Sequence, residues 1–188
     1  MEIIERLYLI DFIVGVLCLK VIYTAVSKGV VNEAFKASGI FIGSLFSFHY
    51  YLQVAAKLEA NLPFLNKKYL FFTVFLLIFL GILAVFSVLR KIVAFLYKKE
   101  EFSVKERWIS FFIGGLRFVL LASVILFFLH LYSLNEKYYG KSVSYRLLKK
   151  VAPKVYLVSL DFLNFYKIDT QKELNKEVKK YYESEDTK

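Results

Sequence analysis

Ionisable side chains set inside otherwise apolar stretches are the residues of this sequence with chemistry to do. Asp11 and Lys20 interrupt the run from Leu7 to Val26, and Arg117 stands just ahead of the uncharged run from Phe118 to Leu129. A charged side chain in hydrocarbon costs roughly 2.5 kcal/mol or more unless it snorkels, pairs or lines a wet cavity. Arg117 therefore needs a partner, a route to the membrane surface, or water. Just upstream, Glu106 and Arg107 lead into an apolar run that carries Gly114 and Gly115. Catalytic chemistry fails on inventory. His49 and His130 are isolated from each other, Cys18 has no partner base in view, and no glycine-rich phosphate loop or carboxylate pair is present. The sequence gives no reason to expect an enzyme, a cofactor or a metal site. The lone Cys18 leaves no internal disulfide and reads as a small hydrophobe.

The elements that must position these charges follow from composition. At 58% hydrophobic and 19% aromatic residues over 188 positions, the chain is more apolar than an ordinary soluble domain, where about half is typical. Its apolar residues are also gathered into runs of the length that crosses about 30 Å of hydrocarbon. The expected fold is an all-α integral membrane protein with four transmembrane helices, about 7–26, 33–56, 69–89 and 108–132, in a membrane domain of residues 1–134. A basic amphipathic tail follows over 135–188, disordered at its end. The net charge of +10 sits in loops and tail, so membrane lipid is the expected counterion and nucleic acid is not.

Along the chain, Ser27 to Asn32 leaves room only for a tight reversal, with Gly29 supplying the backbone freedom and Lys28 beside it. The second span is then expected antiparallel beside the first. It carries Gly39, Gly43 and Ser47 on one face, a spacing that lets helix backbones approach closely, either within one bundle or between copies. His49 sits in an aromatic stretch and reads as a packed or interfacial histidine. Pro63 marks a turn. Ser103 to Glu106 fits a capping box that opens the fourth helix. Arg117 then has two open geometries. A crossing that begins at Trp108 puts it about 14 Å deep, whereas a surface helix that ends near Ile113 leaves it at the headgroup boundary. The region from Arg146 to Tyr166 reads as an amphipathic helix on the membrane, broken before Pro153. Thr170 to Glu173 is a second capping box. Lysine and arginine are plentiful at both ends of the spans, so charge counting does not orient the protein.

Four features together resemble the colicin V production protein family of bacterial inner-membrane proteins: Ile10-Asp11; Lys28-Gly29 followed by Glu33-Ala34; Glu106-Arg107 followed by Gly114 and Arg117; and four spans with a basic tail. The sequence departs from that pattern at Lys28, Glu106, Ser110 and Phe118, the last two placing bulk where the family keeps glycine. The resemblance implies a multi-pass inner-membrane protein linked to colicin V production or export, or to envelope maintenance. It also implies both termini outside the cytoplasm and no established enzyme activity. Three roles follow for the charged residues. Asp11 and Arg117 could pair and set helix register in an assembly component that meets other envelope or secretion proteins. Asp11, Lys20 and Arg117 could face a shared wet cavity in an ion or proton conduit built as a homo-oligomer. The charges could also only snorkel, leaving the specificity to the tail.

Overall fold

The computed structural model describes residues 9–61, 66–96, 103–131, 142–165, 178–179 and 182–183. The described chain forms six helices: α1 (Leu9–Lys28), α2 (Val30–Asn61), α3 (Lys67–Leu96), α4 (Val104–Leu131), α5 (Val143–Leu148) and α6 (Val151–Phe165). Among the described residues there is no strand. The expectations for Pro63, for the Thr170–Glu173 capping box and for the side chain of His130 fall outside the described residues.

Several helix starts follow from local chemistry. Gly29 alone separates α1 from α2, at φ 77°, a left-handed conformation that costs glycine little and other residues more. The capping box at the head of α4 is formed: the Ser103 amide donates to Glu106 Oε2 at 2.9 Å, and the Glu106 amide donates to Ser103 Oγ at 3.3 Å. Lys149 and Lys150 form the turn between α5 and α6, and Pro153 lies in the first turn of α6, where its missing amide is harmless. The helices outrun the apolar stretches that announce them. α3 continues through Arg90 and Lys91 to Leu96, because both are good helix formers and end only the hydrophobic run.

α2 packs along α3, and α4 packs against both α1 and α2. The α2–α3 pair is antiparallel and tight. A Cβ on Gly39 would fall 2.9 Å from Phe86 Cβ, and one on Gly43 would fall 3.2 Å from the Phe79 ring. The small-residue face of α2 is thus used inside the molecule. α1 and α2 touch little beyond their turn, which corrects the expectation of two spans lying side by side. α4 takes the place instead, because Gly114 admits α1 so closely that an added Cβ would lie 2.4 Å from Ala25 Cβ.

An aromatic core fills the other end. Phe48 meets Phe127 edge-on at 4.7 Å and Phe75 at 5.3 Å, and Phe75 meets Phe128 at 4.4 Å. Such pairs contribute about 0.5–1.5 kcal/mol each beyond area burial. Tyr156 of α6 is buried in this cluster with Ala152 and Leu160. The Ala152 amide donates to Ser123 Oγ at 2.7 Å, and Tyr156 Oη lies 3.2 Å from His49 Nδ1. The C-terminal helices therefore join the bundle rather than standing apart from it, and His49 is a packed histidine as expected.

Among the described residues two helices, Tyr69–Phe95 and Val104–Phe128, are long and apolar enough to cross a membrane. In the first, only 17% of the most apolar window is buried, and Leu77, Val85, Val88, Ile92 and Phe95 are exposed. A core helix of a water-soluble protein buries such a face. α2 is long, but Ser44, Ser47, His49 and Gln53 dilute it. α1 carries Asp11, Lys20 and Lys28 within 20 residues.

Candidate functional site

Four charges of the apolar helices, Glu33, Lys36, Arg90 and Arg117, gather at the end of the bundle that holds the Gly29 turn. Glu33 lies in the first turn of α2, fully buried at 0% exposure. Arg117, 5% exposed, reaches it from the middle of α4, with Nη1 2.7 Å from Glu33 Oε2. Arg117 Nη2 also makes long contacts with the Val21 carbonyl at 3.5 Å and Thr24 Oγ1 at 3.4 Å. Thr24 Oγ1 in turn donates to the Val21 carbonyl at 2.9 Å. On the other side of the carboxylate, Lys36 Nζ donates to Glu33 Oε1 one turn along α2. Three helices are joined by one guanidinium.

The local sequence explains the arrangement. Ser110, Gly114 and Arg117 share a face of α4, since residues three and four apart are neighbours on a helix. Gly114 brings α1 close, which puts the carbonyl of Val21 within reach of the arginine three residues on. Ser110 is buried on the same face with its hydroxyl unpartnered, so the serine serves there as a small residue. Phe118 is half-buried and does not obstruct the contact, which falls on Gly114.

An Asp11–Arg117 pair does not form. Arg117 meets α1 at Val21 and Thr24, ten or more residues beyond Asp11, a separation of about 15 Å along a helix. Asp11 Oδ1 instead accepts from Ser142 Oγ at 2.7 Å and from the Ser144 amide at 2.9 Å. It lies at the N-terminus of α5, where Ser142 Oγ also accepts from the Tyr145 amide. Helix N-termini favour such a negative charge. Asp11→Ala is therefore expected to cost about 1 kcal/mol, the size of a lost helix cap, and to raise protease cleavage selectively between 142 and 165. Cleavage unchanged from wild type would show that α5 is held by other contacts.

The remaining charged candidates do not enter the cluster. Lys20, Lys28 and Arg107 are exposed, and Glu106 is used in its capping box. α4 runs unbroken from Val104 to Leu131, so no separate surface helix ends at Ile113. Lys36 and Arg90 are additions that sequence reading missed. With Arg117 they line a cavity of about 250 Å³ between α2, α3 and α4. The signal for Lys36 was present: an acid and a base three residues apart at the head of α2, just ahead of its apolar stretch. Among the described residues no group of three or more histidine, cysteine, aspartate or glutamate side chains comes together.

These features define an all-helical bundle with two helices able to cross a membrane and a buried ion pair that joins three helices. The chain matches the model of the family described as colicin V production protein over residues 10–153, and it belongs to that family. The match runs from the head of α1 into the first turn of α6 and so includes every residue of the charge cluster. Among curated proteins and solved structures no match was found.

Proposed function

We propose that this chain is a multi-pass protein of the bacterial inner membrane, with α1 to α4 as its four spans. It works without enzymatic chemistry as an assembly or interaction component in toxin production and export or in envelope maintenance. Both termini lie outside the cytoplasm in this reading, and the Gly29 turn lies inside.

The observation that carries the reading is the use to which Arg117 is put. Its guanidinium is engaged by Glu33 of α2 and by Val21 and Thr24 of α1. A charge committed in this way fixes helix register and orientation, the best-attested role of buried ion pairs. The bundle so fixed presents apolar side chains outward on α1, α3, α4 and α6, among them Phe12, Leu80, Phe112 and Phe162. Such surfaces suit lipid, other envelope proteins, or further copies of the chain. The alternative is an ion or proton conduit formed by oligomerisation, and the cavity beside Arg117 favours it.

Photo-crosslinking side chains placed in cells at Leu80, Phe112 and Phe162 test the proposal. A discrete protein adduct from at least one of these faces is expected. Adducts with lipid alone, from every face, would overturn an interaction role.

A further inference from the structure

The cluster around Glu33 is out of electrical balance, and the imbalance faces a cavity. Lys36, Arg90 and Arg117 line the same space of about 250 Å³, and they have one carboxylate, Glu33, between them. Lys36 and Arg117 both pair with it. Arg90, half-buried on α3, has no acidic partner among the described residues. Arg117 keeps its Nε buried with no hydrogen-bond partner. Ser87 adds a hydroxyl to the wall, while Phe86 and Leu121 supply apolar surface. The cavity is thus lined by both cationic and apolar side chains, in a helix bundle whose outer surface is itself largely apolar.

We propose that this cavity binds the phosphate of an anionic phosphate ester, held by Arg90 and Lys36 with the charge of Arg117 in the same wall. An anion there offsets cations that are otherwise expensive to hold in low-dielectric surroundings. A guanidinium presents paired donors matched to phosphate oxygens. Basic pockets between membrane helices are a recurrent setting for phospholipid headgroups, and the apolar wall is where an acyl chain would lie. A phospholipid and a free phosphate share the chemistry that the cations recognise, and the apolar wall separates them. The inference rests on the membrane reading given above but not on the choice between assembly and conduit. A chain that failed to insert would reveal itself by not reconstituting, before any ligand is tested.

Native mass spectrometry of the full chain released from detergent provides the test, with phosphatidylglycerol, phosphatidylcholine or inorganic phosphate added in separate arms. Arg90→Gln removes a cation of the cavity without touching the Glu33–Arg117 pair, and Lys91→Gln, at an exposed neighbour, serves as control. Thermal midpoints without ligand establish that both variants are folded. Retention of phosphatidylglycerol over phosphatidylcholine is expected, falling about fivefold in Arg90→Gln and unchanged in Lys91→Gln. This result assigns a lipid phosphate. Stabilisation by millimolar inorganic phosphate that depends on Arg90, without lipid preference, supports the same site with a free phosphate as occupant. Equal retention of both lipids with no Arg90-dependent stabilisation by inorganic phosphate, or phosphatidylglycerol and phosphate binding both indifferent to Arg90→Gln, would overturn the proposal.

Discussion

Glu33→Leu is expected to cost about 3–5 kcal/mol, the range for removing one member of a buried ion pair, and to do more damage than Arg117→Leu. The asymmetry comes from the partners that each substitution leaves behind. Without Glu33, the guanidinium of Arg117 stays charged, since arginine does not deprotonate in proteins, and it keeps only long contacts to Val21 and Thr24. Lys36 loses its anion in the same step. Without Arg117, by contrast, Glu33 keeps Lys36 as a close cationic partner. The double substitution Glu33→Leu with Arg117→Leu should lose less than the two singles added together, because matched apolar side chains remove both uncompensated charges. Thermal unfolding of the four proteins in one detergent measures the cycle. Additive losses would mean that the two side chains act separately.

Gly114→Val is the second large effect. A Cβ at this position would sit 2.4 Å from Ala25 Cβ, and no rotamer relieves a clash made by the Cβ itself. α1 and α4 must part, at a cost of about 1–3 kcal/mol or more for overpacking. The parting also draws Val21 away from Arg117, which is three residues along α4. Gly115→Val is the control, because nothing lies within 4 Å of a Cβ there. Ala25→Gly should recover part of the loss in Gly114→Val. A variant as stable as wild type, or no recovery by Ala25→Gly, would show that the close approach is not where α1 is held.

What the sequence revealed and what it hid divide along a physical line. Local chemistry was readable. The Ser103–Glu106 box, the turn at Gly29 and the break before Pro153 each depend on a few adjacent residues, and each stands where expected. The need of Arg117 for a partner was readable too, since the cost of a buried charge does not depend on the fold. The identity of that partner was not. Glu33 lies distant in the chain, on α2, and the pairing is decided by how α2 packs against α4. Asp11 seemed the natural mate only while its helix was imagined beside Arg117 at the wrong height. The docking of α6 was hidden for a related reason. Its lysines suggested a surface helix, yet Ala152, Tyr156 and Leu160 share a face that the aromatic core accepts. Phe118 and Ser110 place bulk where the family pattern carries glycine, yet the close approach survives. The contact rests on Gly114, and a buried serine is small enough beside it.

The measurement that bears most directly on an assembly role is ion and proton flux through the purified protein in sealed liposomes. Wild type is compared with Arg117→Leu, and an ionophore reports that the vesicles are tight. With Arg117 engaged by Glu33, Val21 and Thr24, folded and oriented wild-type protein should pass no more current than empty vesicles. Flux through wild type that Arg117→Leu abolishes would contradict the account and make the charged cavity part of a pathway.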